Sequence, residues 1–476
     1  MIFFALCAGE AALFLALLCL YRAATKPDIW AWLISTPGML FVCLSIIFIS
    51  SFGWVIHTLK TCAPSNKRHV FMAVGMNLVM LVLTLGNTEL LARVLSKQTA
   101  AGETVLGVLL YPKEWSKFAA HYKKRIDEMT RKGSFATYDR ILGWTVTPSY
   151  IDRTGQYLSS VEGLRAPRID MSFADPRTRH SGVSETPAAV RIALIGDSMT
   201  YGHEVRCEDS WGHVLEGLLQ PHIQVINFAI NAYGLNQALL RYEKDARLWK
   251  PQIVIIGIST AMITRNNNIY PFLKDPEWGF PFARPRFVMQ HNALTTMNHP
   301  VPDPGQIFAN TAISELPTLD LDDYYRPYQW ERGRMWYLLE RSYVFRLAYS
   351  LRPPNDYGQE ERNQKAMQVG QFVVQRLVRE VLEDGAVPLV IYLPYELELR
   401  TKPETMYGPL SARMLRNASL EYFDPTACLI EVGVSEGYMK EGHYSPRANI
   451  QIARCLVPVL GEMIDGLKKK DNRAKR

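Results

Sequence analysis

The sequence predicts an α/β chain: a three-layer domain around a parallel sheet, preceded by an N-terminal three-helix transmembrane region. Three observations lead there. Long uncharged runs crowd the first ninety residues, short apolar strands alternate with amphipathic helices after residue 188, and a serine and a histidine stand where such a sheet presents its strand ends.

The apolar runs come first. Met1 to Tyr21 carries one charged side chain, Glu10, while Trp30 to Leu59 and Val70 to Thr88 carry none. Each is near or above the roughly 18 to 20 residues that cross a bilayer as a helix. Spans are therefore expected at about 1–21, 30–59 and 70–88, within a membrane region 1–97. The first run lacks the basic stretch that opens a signal peptide and is followed by two further runs, so a span is expected over a cleaved leader. Glu10 then faces the helix bundle or an interface. Basic residues in the short loops (Arg22 and Lys26; Lys60, Lys67 and Arg68; Arg93 and Lys97) divide too evenly to choose an orientation.

A second segment, 98–187, reads as a juxtamembrane helix with a basic face, "PKEWSKFAAHYKKRIDEM", followed by a connector. From 188 to 470 the pattern changes. "VRIALIG", "IQVINFAI", "PQIVIIGIS" and "VPLVIYLP" are strands; "SWGHVLEGLL", "LNQALLRYEKDARLW", the run from "EERNQKAM" to Gly385, and "PRANIQIARCLVPVLGEMIDGL" are helices. Apolar strands without polar alternation, separated by amphipathic helices, indicate a parallel sheet covered on both faces. Residues 262–357 interrupt this with proline- and aromatic-rich sequence, too long for a connection and read as an insertion beside the strand C-termini, where ligands bind.

Composition limits the function classes. At 476 residues and 48% hydrophobic content the chain has material for two or three packed units, and whole-chain disorder is excluded. The net charge of +7 is spread along the chain, and the basic tail "KKKDNRAKR" reads as frayed and solvated, so no nucleic-acid partner is expected. Cys207, Cys428 and Cys455 lie outside the spans; they permit one disulfide without demanding it and have no metal or redox spacing. The absence of HExxH, paired CxxC, Walker and Rossmann patterns gives no metal and no cofactor.

Ser198, in "GDSMT", falls directly after the first strand of the sheet domain. Its hydroxyl would face the crevice and its N–H a developing oxyanion, although a turn or cap could use the same residue. A serine hydroxyl needs a base to take its proton, and His443, in "GHYSPRAN" before the last helix, lies where a sheet-edge loop could return it. His203 reads as a loop histidine, Asp197 as the residue that fixes the turn, and "LDLDDYY" at 319–325 as surface acid lacking the glycine of a calcium loop.

"IGDSMTYG", "VINFAINAYGLNQ" and "GHYSPRAN", in this order, resemble the SGNH or GDSL-type hydrolase family, in its bacterial membrane-anchored branch. "YDRILGWTVTPSY" and "VEGLR" resemble the segment preceding the core in that branch, and the resemblance covers roughly residues 138–467. It implies a flavodoxin-like α/β/α fold and ester hydrolysis or acyl transfer, with Ser198 as nucleophile and His443 as base. The family's oxyanion glycine falls on Ala232, with Gly234 two residues on. Its asparagine position holds Ala261, so Asn266, or one of its neighbours Asn267 and Asn268, is expected to supply the amide beside the Ser198 and Ala232 N–H groups. Lys440 replaces the family's aspartate, leaving Glu441 or a backbone carbonyl to orient the imidazole.

The resemblance further implies a membrane-anchored serine esterase or O-acyltransferase acting on acyl, chiefly acetyl, esters of an extracytoplasmic carbohydrate. The chain would be a multi-pass protein of the bacterial inner membrane, N-terminus inside and soluble domain outside, with polysaccharide-biosynthesis membrane proteins as partners. Two rivals stand beside this reading. One is a catalytically weak or inactive scaffold of a polysaccharide assembly machine, suggested by Ala261 and Lys440; the other is a membrane-associated lipase.

Overall fold

The computed structural model describes residues 64–174, 190–219, 222–291, 293–330, 337–350, 358–399 and 409–474, with isolated positions between 46 and 61. The spans expected at 1–21 and 30–59 lie outside the described residues, apart from some of those positions. The third falls within helix α1 (Pro64–Val94). Its stretch Lys67–Val94, which contains an 18-residue window of mean hydropathy 1.9, is long and apolar enough to cross a membrane. Phe71, Val79 and Leu83 on it are more than half exposed, a surface that lipid accepts and water disfavours.

The chain divides into two compact units, 1–118 with 326–357, and 119–325 with 358–476. In the first, α1 leads into an antiparallel sheet of β1 (Ser96–Thr99), β2 (Gly102–Val105) and β3 (Val108–Leu109). Glu103 on β2 is buried and bonds Arg346 Nη1 at 2.7 Å and the Tyr343 hydroxyl. The rings of Trp115, Phe118 and Trp330 pack with centroids 5.2 to 5.9 Å apart. A helix over Trp115–Lys132 falls where the basic-faced helix is expected.

In the second unit β4 (Ala136–Asp139) and β5 (Gly143–Val146) form a hairpin ahead of the main sheet. The sheet is built from β6 (Val190–Ile195), β7 (Ile223–Asn227), β8 (Ile253–Ile258) and β11 (Val387–Tyr392). All its pairings are parallel, in the order β7–β6–β8–β11. Between β6 and β7 come the single turn α2 (Ser198–Tyr201) and α3 (Trp211–Leu218). Helices α4 (Leu235–Lys244) and α5 (Thr260–Thr264) flank β8. The hairpin β9 (Arg286–Gln290) and β10 (Ala293–Met297) lies in the insertion, and α6 (Gln359–Glu383) returns to the sheet. After β11 come α7 (Leu410–Asn417), α8 (Thr426–Val432) and α9 (Pro446–Ala474).

Period-two geometry sends alternate strand side chains to opposite faces. Ala193, Ile195, Val254 and Ile256 join one core with α4, α6 and α7; Ile192, Leu194, Ile253 and Ile255 join the other with α3 and α9. The strand expected over "IQVINFAI" stops at Asn227, whose side chain turns the chain by accepting from the Ala229 N–H and donating to the Thr200 carbonyl.

Two expected boundaries differ. Trp144, Leu164 and Phe173, assigned to a connector, are buried in the same core as β6 and β8, so the sheet's core extends well before residue 188. The insertion does not fold as one piece either: its residues up to 325 belong with the sheet, and 326–357 with the first unit. Within it Asp322, expected as surface acid, is buried. It accepts the Ile269 and Tyr270 N–H groups at 2.7 and 2.8 Å and the Asn268 amide at 3.1 Å, bonds that a polar group must find once water is excluded.

Cys428 on α8 and Cys455 on α9 form a disulfide, while Cys207 is buried and free. The crosslink closes a loop of 27 residues that contains His443. Replacing both cysteines by serine is expected to lower unfolding free energy by about 3 kcal/mol. Thermal unfolding of the full chain in detergent should show the same drop for wild type under reductant, and equal melting temperatures would contradict it.

Candidate active site

Strand order reverses between β6 and β8, and the crevice at their carboxyl ends is the place where open α/β sheets bind ligands. The segment Gly196–Thr200 leaves β6 there. Thr200 inserts its side chain between Gly196 and Gly257, where a Cβ on either glycine would come within 2.2 Å of its Oγ1. Asp197 caps α2 by accepting the Met199 N–H at 3.0 Å, as a turn-fixing role requires. Ser198 is thereby held at the start of the turn, 5% exposed.

The structure brings His443 to this serine. Its Nε2 lies 2.9 Å from Ser198 Oγ, and its Nδ1 lies 3.0 Å from an oxygen of Glu204. A carboxylate can only accept, so Nδ1 carries the proton and Nε2 is left to receive the serine hydroxyl. Glu204 also accepts the Glu441 N–H at 2.9 Å and the His443 N–H at 3.1 Å. Burial opposes its ionisation, but these N–H groups and the imidazole outweigh burial and hold the carboxyl below its ordinary range.

The carboxylate that holds the imidazole is therefore Glu204, six residues after the serine, and not Glu441. The Glu441 side chain is 68% exposed and lies 3.5 Å from His203; its backbone N–H is what bonds Glu204. Glu204 sits at φ +66°, a left-handed conformation costly for a residue with a Cβ, and its N–H donates to the Tyr157 hydroxyl at 3.0 Å. One signal was available in sequence, an acid in the same short loop as the serine in "SMTYGHE".

The expected oxyanion residues separate. Ala232 adopts φ +66°, the conformation a glycine would take at that position, and its N–H and that of Ser198 have no protein acceptor among the described residues. Gly234 is not available as a donor because its N–H goes to Gln237 Oε1 at 3.2 Å, in the cap of α4. Asn266 is not available either. It is fully buried, its Oδ1 accepting the Leu235 N–H at 3.1 Å and its amide directed to the Ala366 carbonyl at 3.4 Å, so it fastens α4 to α6. Asn267 and Asn268 likewise bond the Arg362 carbonyl and Asp322.

Sequence reasoning also missed Arg265. Its Nη1 bonds Asp197 at 3.2 Å and the Tyr233 carbonyl at 3.1 Å, and the exposed indole of Trp278 lies 5.5 Å from its guanidinium. Ser259 gives the same Asp197 oxygen a second donor at 2.7 Å. Among the described residues no group of metal-ligating side chains is present.

His203 packs edge-on beside His443 with ring centroids 4.7 Å apart. Its Nδ1 takes hydrogen bonds from the Tyr157 hydroxyl at 2.9 Å and the Asn231 amide at 2.8 Å, leaving no lone pair there for a proton. Burial, helped by the neighbouring His443, pushes its pKa down to about 4 from 6.5. Between those values the unfolded chain binds a proton that the folded chain refuses, so stability falls as pH drops through that window. The loss is expected to be on the order of 3 kcal/mol, and His203→Gln should flatten the dependence. Unfolding midpoints measured from pH 7 to pH 4 check this, and parallel curves for wild type and variant would contradict it.

No protein-family model matches the chain, and no curated protein matches it. Several solved structures are similar to part of it. One is a putative lipolytic protein of the G-D-S-L family from Desulfitobacterium hafniense, 14% identical, covering 56% of this chain and 95% of its own at a TM-score of 0.28. Another is an acetylxylan esterase from Geobacillus stearothermophilus, 16% identical over 57% and 94%, TM-score 0.29. A third is the psychrotrophic esterase EstA from Pseudoalteromonas sp., 13% identical over 59% and 98%, TM-score 0.28. Likeness of this degree fixes neither activity nor substrate.

Proposed function

We propose that the chain is an SGNH-type serine esterase or O-acyltransferase, anchored in the membrane and acting on acyl esters of an extracytoplasmic carbohydrate. The observation that carries this reading is the hydrogen-bonded series Ser198–His443–Glu204 at the switch point of the sheet. In the first step Ser198 Oγ bonds to the ester carbonyl carbon, its proton passes to His443 Nε2, and the carbonyl π pair moves onto oxygen. Collapse of this intermediate expels the alcohol oxygen, which takes the proton from His443 and leaves an acyl-serine. Water, or a sugar hydroxyl, repeats the sequence in reverse. Glu204 stays ionised throughout and balances the imidazolium.

Location and substrate class have separate supports. The Cys428–Cys455 disulfide favours an oxidising compartment, and Lys67–Val94 supplies a helix able to anchor the chain. Trp278, 44% exposed near the site, offers a flat apolar face of the kind sugars stack on. The lipase reading has no comparable support, and the scaffold reading loses the half of its motive that rested on Lys440, since Glu204 holds the imidazole, and keeps the half that rested on Ala261.

With p-nitrophenyl acetate, Ser198→Ala and His443→Ala are each expected to lower kcat/KM by about 10³-fold or more, and Glu204→Gln by about 10²-fold or more. Glu441→Gln should change it by less than about threefold, since only its backbone takes part. Wild type as inert as Ser198→Ala, with both folded, would refute the enzyme reading.

A further inference from the structure

The site lacks one component that its own chemistry calls for. Two backbone N–H groups, those of Ser198 and Ala232, have no protein acceptor among the described residues, but the third donor expected after β8 is missing: Ala261 has no polar group and the Asn266 amide is used elsewhere. Arg265 stands four residues beyond Ala261. Its Nη1 touches Asp197, which precedes Ser198, and the carbonyl of Tyr233, which follows Ala232, so the guanidinium lies between the two loops that carry the other donors. Nη2 has no protein acceptor among the described residues, and Nε is buried without one.

We propose that Arg265 is the third oxyanion donor, its free guanidinium N–H groups stabilising the negative oxygen of the tetrahedral intermediate in place of the asparagine amide. The proposal rests on the serine-nucleophile reading above. No proton leaves the arginine; it donates hydrogen bonds as charge builds on oxygen, and a charged donor in a site closed to water does this more strongly than an amide. The competing role is structural, with Arg265 present only to neutralise the buried Asp197 carboxylate.

The experiment compares wild type, Arg265→Met, Arg265→Lys and the double variant Asp197→Asn/Arg265→Met as full chains in detergent, with thermal unfolding recorded for each. A fluorophosphonate probe reports the nucleophile directly: Ser198 Oγ bonds to phosphorus, fluoride leaves, and the developing P–O⁻ charge falls in the same hole. Arg265→Met is expected to slow both labelling and kcat for p-nitrophenyl acetate by about 10²- to 10³-fold, with KM within about threefold. Arg265→Lys should recover part of the loss, and the double variant should stay as slow as the single one. Wild type labelled at Ser198 and Arg265→Met labelled as fast overturns the arginine proposal alone. Recovery in the double variant also overturns it, since it assigns Arg265 to charge balance. If Arg265→Met does not fold, the double variant and Arg265→Lys decide by the same rates. Absence of labelling in folded wild type overturns the proposal together with the reading beneath it.

Discussion

The Glu204 carboxylate takes three N–H groups from the segment that carries His443, so docking of that loop and orientation of its imidazole are one interaction. Hydrogen bonds to a charged group contribute roughly 1.5 to 3 kcal/mol each when shielded from water, and this carboxylate is 11% exposed. Against that stands a left-handed backbone at Glu204, a cost on the order of 1 kcal/mol. The bonds outweigh the strain. The loop therefore cannot settle in place without also setting the tautomer that turns a free Nε2 toward Ser198.

The sheet around this interaction was legible because burial on both faces leaves a strong trace: "VRIALIG", "PQIVIIGIS" and "VPLVIYLP" have almost no polar residues, and each forms a central or flanking strand. The meeting of Ser198 and His443 was legible for a related reason, since strand ends and loop positions follow from the strands themselves. Glu204 was not, because its reach depends on one positive φ and on a partner more than two hundred residues away, neither of which has a periodic signature. Asn266 misled because a buried amide that fastens two helices and one that faces a ligand look alike in sequence. Asp322 misled in the opposite sense: clustered carboxylates suggested solvent, whereas backbone N–H groups of the insertion needed an acceptor in the interior.

The disulfide and the active-site loop reinforce each other through geometry. The crosslinked stretch 428–455 carries His443 near its middle, fixed at its ends by sulfur and at its centre by Glu204. Three points of attachment on a loop of that length leave little freedom to the imidazole, and placement within a fraction of an ångström is what general-base chemistry demands. The surrounding contacts, such as the Tyr438 and Tyr444 hydroxyls on the Pro394 carbonyl, extend the same restraint to the end of β11.

Gly234 packs with the hydrogen in its side-chain position toward the Cβ of Arg265. The two positions share one volume. A side chain at 234 would press on the Cβ and backbone of position 265 whatever residue stood there, so the glycine sets how closely the two loops approach and leaves the choice of side chain at 265 open.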